Sequence, residues 1–125
     1  MTVERKHYAH LDTPVGPYVH AAKFNNLLFV SGLTAFNTPA QQGTMLQQAE
    51  MILEQLKGIL DAEGVGFEHI AKVTIFVTEL EGLSEIRELA IRYYGEFFPA
   101  SSLVEVKNLF SPDLKIEIEA VVGLD

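Results

Sequence analysis

The chain has 125 residues, 48% of them apolar and 21% charged, with a formal net charge of −8. A single domain over 1–125 buries a core of its own at this size, roughly two-thirds of its unfolded surface. The nine Lys and Arg are scattered, which argues against nucleic-acid binding and against docking on anionic membrane, since both need clustered cations.

The chain has no cysteine, so disulfides, a thiol nucleophile and thiolate metal sites are excluded. The segment from Met1 to His7 lacks the apolar run of a signal peptide, and no apolar segment approaches a bilayer span. A cytoplasmic location is the expectation. The four histidines do not have metal-ligand spacing.

Lys6 to Leu11 reads as a weak edge strand. Thr13 to Tyr18 holds Pro14, Gly16 and Pro17, a stiff turn that sets the direction of Tyr18. Val19 to Lys23 is a short strand, and Asn25-Asn26 a hairpin turn, because asparagine tolerates positive φ. Leu27 to Thr34 is the clearest strand, apolar on both faces as far as Ser31-Gly32. A glycine there signals a bulge or a close backbone approach, and Ser31 beside it presents a hydroxyl. Phe36 to Gly43 reads as a loop.

Thr44 to Gln47 fits a capping box. Met45, Ala49, Ile52, Leu53, Leu56 and Leu60 follow on one helical stripe. The lysine, glutamate and glutamine positions opposite read as solvated, and Gly64 ends the helix. Ile70 to Thr78 is a second strong strand, with Val73, Ile75 and Val77 on one side. Leu83, Ile86, Ala90, Tyr93, Tyr94 and Phe97 form a second helical stripe, which Pro99 is expected to stop. The small residues Ala100, Ser101 and Ser102 then lead into a strand from Leu103 to Val106. Phe110 to Asp113 is a loop. In the last strand, from Lys115 to Val122, Ile116, Ile118, Ala120 and Val122 face one side, Glu117 and Glu119 the other.

The order is three strands, helix, strand, helix and two strands. Two helices cover one face of such a sheet. The other face is expected to carry Phe76, Leu103 and Val121 among Glu105, Glu117 and Glu119. It is too apolar for open water and too charged for a dry core, so contact with another copy of the chain is the simplest resolution.

Four pieces converge across nearly the whole chain: Gly16-Pro17-Tyr18, Val30-Ser31-Gly32, Lys72 to Thr78, and Phe98-Pro99-Ala100 followed by Val104-Glu105-Val106 and Ile116 to Ala120. In this order and at these separations they resemble the RidA family, also called YjgF. The resemblance implies a chorismate-mutase-like α+β fold with a six-stranded mixed sheet and two helices on one face. It implies a homotrimer with ligand clefts between subunits, and no metal or organic cofactor. Active members hydrolyse enamines and imines to a keto acid and ammonia.

The resemblance also assigns roles. Tyr18 and Glu117 match the residues that position the attacking water and manage its protons. Ser31, Gly32, Ser101, Ser102 and Leu103 match substrate-contacting positions. Arg87 stands where the family usually has asparagine, His20 and Leu33 where it usually has glutamine. The arginine that follows Phe-Pro-Ala, and grips the substrate carboxylate, is here Ser101. The expectation is a small-metabolite-binding protein for keto or imino acid-like ligands, impaired in imino-acid hydrolysis. The alternative is an active hydrolase on a different substrate, anchored by Arg87 or without a cation. Two plainer readings stand beside these: Arg87 as a helix-surface arginine and His20 as a structural residue.

Overall fold

The computed structural model describes residues 2–125. Helix α1 (Met45–Glu63) starts at its capping box: Thr44 Oγ1 accepts from the Gln47 N–H at 3.1 Å, and Gln47 Oε1 accepts from the Thr44 N–H at 2.9 Å. The helix ends at Gly64, which adopts φ 75° and donates its N–H to the Asp61 carbonyl, the left-handed cap that glycine enters without steric cost. The whole stripe from Met45 to Leu60 is buried. Truncating any of its leucines to alanine costs about 2–5 kcal/mol.

Six strands form one sheet in the order β1-β2-β3-β6-β4-β5. They are β1 (Glu4–Lys6), β2 (Ala21–Phe24), β3 (Leu27–Leu33), β4 (Ile70–Val77), β5 (Ala100–Glu105) and β6 (Ile116–Gly123). All pairings are antiparallel except β4 with β5, which α2 (Leu83–Tyr94) joins as a crossover. The β2–β3 hairpin turns at Asn25, at φ 56°. Leu28, Val30, Val73, Val77, Ile116, Ile118, Ala120 and Val122 are buried with the apolar faces of α1 and α2 in one core. The expected alternation of β4 and β6 holds, and the fold class is the α+β arrangement anticipated above.

Several boundaries move. The first strand is Glu4–Lys6, not Lys6 to Leu11: the Tyr8 N–H goes to His20 Nδ1 at 2.9 Å, and Leu11 N–H closes a turn on the Tyr8 carbonyl at 3.1 Å. Helix α2 stops at Tyr94 because Gly95 takes φ 64°, so the stop comes four residues ahead of Pro99 and leaves Phe97 exposed. The small residues Ala100 to Ser102 belong to β5 itself and pair with Lys72 to Thr74. Leu103 does not lie on the open face. It pairs with Ile75 and packs against the core, and Glu105 shares that side with Val77. The open face instead carries Leu27, Phe29, Phe76, Val104 and Val121 around Lys72, Glu117 and Glu119, with Leu27, Phe29 and Val104 exposed.

Gln48 is a polar residue within the buried stripe of α1. It is 0% exposed. Its Nε2 donates to the carbonyls of Gln41 (3.0 Å) and Asp113 (2.9 Å), and its Oε1 accepts from the Lys115 N–H at 2.9 Å. One buried amide thereby ties α1 to the loop before it and to the segment that enters β6. Gln48→Ala leaves these buried groups without partners and is expected to lose at least about 2 kcal/mol in urea unfolding. Glu50→Ala, on the exposed face, is expected to stay within about 0.5 kcal/mol.

Candidate ligand-binding cleft

The loop over Thr13–Tyr18 behaves as its prolines demand. Tyr18 N–H turns back to the Gly16 carbonyl at 2.8 Å, and the Tyr18 ring lies against Gly16, where an added Cβ would meet Cε1 at 3.2 Å. The side chain is 47% exposed. Below it, β3 is irregular: Val30 pairs with Ala120 and Leu33 with Ile118, so three steps on β3 oppose two on β6. This is the bulge that Gly32 signals. Ser31 sits in it and donates Oγ–H to the Val19 carbonyl at 2.6 Å while its N–H goes to the His20 carbonyl at 3.0 Å.

The close backbone approach is present too. A Cβ built on Gly32 would lie 2.1 Å from Glu117 Oε2 and 2.6 Å from its Cδ. Gly32 is not in the left-handed region, so the glycine is required for space and not for its backbone angles. Burial pushes the Glu117 carboxyl above the usual glutamate range, and the neighbouring Glu119 carboxylate adds to the effect. Among the described residues the ion pairs involve Lys6 and Lys57, so no cation offsets that shift.

A cleft of about 290 Å³ opens at this end of the sheet, at the lower limit for small-molecule sites. Its floor is Ser31 to Thr34, its roof Thr13 to Val15 with Tyr18, and its walls Met51 and Gln55 of α1 and the Phe36–Phe110 pair. The two rings are 5.0 Å apart and tilted by 60°. Of the candidates, Tyr18, Ser31 and Gly32 line the cleft, whereas Glu117 does not line it and packs against Gly32.

Ser101, Ser102 and Leu103 do not line it, and neither does Arg87. β5 stands three strands from β3 in the sheet, roughly 14 Å at the usual strand spacing. Ser101 and Ser102 are exposed on that edge, whereas Leu103 is turned into the core. Arg87 is exposed on α2. His20 is buried, with Nδ1 accepting from Tyr8 and Nε2 donating to the Asp12 carbonyl at 2.7 Å. It holds the roof loop in place, in keeping with a structural role.

The reading of the residues misses Gln55, Met51, Asp12, Asn37 and His10, all of which line the cleft. For α1 a signal exists. Gln48 falls between Met45 and Ile52 on the apolar stripe, and Gln55 follows one heptad later, so two glutamines interrupt a face that is otherwise apolar. The loop residues have no comparable mark. Among the described residues, no group of three or more His, Asp or Glu is placed to hold a metal, and no helix is long and apolar enough to cross a membrane.

A half-covered mixed sheet with a bulged central strand and a cleft beside the bulge is the α+β architecture of the YjgF fold. A family model described as Endoribonuclease L-PSP matches residues 10–123. The RutC family protein PH0854 of Pyrococcus horikoshii is 34% identical over 86% of this chain and 87% of its own. Among solved structures, the YjgF gene product of E. coli has 30% identity and a TM-score of 0.83, covering 96% of this chain and 98% of that one. YyfA of Yersinia pestis, of the Rid family, has 27% identity and a TM-score of 0.88 over 98% and 99%. The chain belongs to the RidA/YjgF family.

Gly32→Ala is expected to evict the Glu117 carboxyl, whose Oε2, Cδ and Cγ are the three atoms nearest the added methyl, and to move its titration back toward an ordinary glutamate in NMR detected at the side-chain carboxyl. A raised folded-state value means that stability is fully present below the unfolded value of 4.5 and is lost as pH rises through the folded one. Glu117→Gln is therefore expected to raise Tm at neutral pH, and the gain should vanish by about pH 4.

Proposed function

We propose that this chain is a ligand-binding RidA/YjgF protein that forms a homotrimer, completes its cleft between copies, and hydrolyses imino acids poorly or not at all. The observation that carries this reading is the separation of Ser101 from Tyr18 and Ser31 by three strands of one sheet. A single copy cannot bring them together. The exposed β5 edge and the uncovered apolar residues Phe29 and Val104 supply surface for a second copy to do so.

The chemistry explains which part is lost. Hydrolysis of a 2-imino acid needs a water aimed at the imine carbon, a group that moves protons, and a cation that holds the carboxylate. Tyr18 and Glu117 supply the first two roles: a hydroxyl at the mouth of the cleft, and a carboxyl whose proton is held more tightly than usual. Ser101 cannot supply the third. A charge-assisted two-pronged bond is worth on the order of 2–3 kcal/mol, so carboxylate binding weakens by about thirty- to a hundred-fold.

The second reading, an active hydrolase for another substrate, is favoured by the retention of Tyr18, Ser31 and Glu117. Arg87 of a neighbouring copy is its candidate anchor, being exposed and outside the described ion pairs. The endoribonuclease named in the family description is disfavoured for this chain by the charge of −8. The proposal places the protein in the cytoplasm, working without a metal or cofactor.

Sedimentation is expected to give a trimer. Consumption of 2-iminopropionate by the unaltered chain is expected to stay at the buffer rate, and Ser101→Arg to raise it at least about thirty-fold. Rapid turnover by the unaltered chain would overturn the main reading in favour of the second.

A further inference from the structure

The cleft has a charge and hydrogen-bond character of its own. No lysine or arginine of the same copy lines it. Four of the lining side chains that would donate to an anion already donate to main-chain carbonyls: Ser31 to Val19 at 2.6 Å, Thr38 to Ala35 at 2.6 Å, His10 Nε2 to Gln55 at 3.0 Å, and His20 Nε2 to Asp12 at 2.7 Å. A carbonyl can only accept, so both histidines carry the proton on Nε2. That leaves His10 Nδ1 as an acceptor, while Tyr8 already occupies Nδ1 of His20.

The hydroxyls of Thr13, Tyr18 and Thr34 also line the cleft and donate to no group among the described residues, and the charge that remains is negative. Gln55 Nε2 donates to the Thr34 carbonyl at 3.0 Å, and its Oε1 takes up no hydrogen bond within the protein. Asn37 Nδ2 donates to Asp12 Oδ2 at 2.6 Å, which fixes the Asp12 carboxylate at the rim with its other oxygen unengaged. Asp12 is the one carboxylate lining the cleft, and Glu117 stands on the far side of Gly32. A ligand carboxylate entering here meets like charge at Asp12 and only neutral hydroxyl donors, which offset its desolvation less than a cation would. The apolar part of the lining is large for so small a space: Leu11, Leu33, Phe36, Met51 and Phe110. Phe110 is 57% exposed, an aromatic wall suited to a flat body or to a cation over its face.

We infer that the cleft takes a nitrogen ligand that donates hydrogen bonds, an amine, amidine or N–H imine on an apolar and preferably aromatic body, and that it discriminates against carboxylates. The inference rests on the reading of this cleft as the ligand site. It goes further than the loss of the arginine, because Asp12 and the committed donors select actively for the opposite charge.

Three probes with one ring separate the terms: benzamidine, benzamide and benzoate, titrated into the full chain at pH 8, where free imidazole is neutral. Binding is followed by calorimetry and by NMR shifts of Tyr18, Phe36 and Met51. Benzamidine is expected to bind at least about tenfold tighter than benzoate, with benzamide between them. Asp12→Asn, at an exposed position, is expected to remove most of the benzamidine advantage and leave benzamide unchanged. Benzoate binding as tightly as benzamidine, or an advantage that survives Asp12→Asn, overturns the inference while leaving the cleft as the site. No shift at the three residues with any probe overturns the reading of the cleft itself.

Discussion

The carboxyl of Glu117 occupies the space that any side chain at position 32 would need, with its Oε2 2.1 Å from a would-be Cβ. This close approach joins the two central strands where their register slips. The bulge lets Ser31 turn away from the ladder toward Val19 and the roof loop. The missing methyl lets an acidic side chain press on the floor of a cleft, where partial burial holds its proton more tightly than water would. Tyr18, Ser31 and Glu117 come from a loop, a bulge and a neighbouring strand. Tyr18 and Ser31 line the cleft, and Glu117 lies against Gly32 because that position has no side chain.

The frame around that point is held by polar groups sunk into apolar elements. Gln48 bridges three backbone segments from within the α1 stripe. His20 ties Tyr8 to the Asp12 carbonyl, and Gln55 accepts His10 at its own carbonyl while holding the Thr34 carbonyl with its side chain. Loops that line a cleft need such ties, since they bury little apolar surface of their own. The same ties engage the histidine and glutamine donors of the cleft.

Much of this was legible in the residues. Thr44 and Gln47 announced the start of α1, because a capping box satisfies the orphan amides of a first turn wherever it occurs. Gly32 announced both a bulge and a close approach, and both are present. Gly95 had as clear a local meaning as Pro99, yet the proline was the stronger punctuation mark and drew the end of α2 too far. Gln48 lies on the apolar stripe by its spacing, but which carbonyls its amide meets there is set by segments distant in the chain. Leu103 was placed on the wrong face because its strand was started late, and a shift of register by one residue inverts every side chain.

The roles of Tyr18, Ser31 and Glu117 came from the family resemblance, whereas local pattern by itself determined the two helices, the main strands, their apolar faces and the close approach at Gly32. These depend on spacings of a few residues, which the chain carries in full. The tertiary structure alone decided that β6 inserts between β3 and β4, which sets Glu117 beside Gly32 and leaves Ser101 three strands away. Strand order is a matter of which long-range pairings bury the most apolar surface together. That is a property of the whole packed sheet and not of any segment within it.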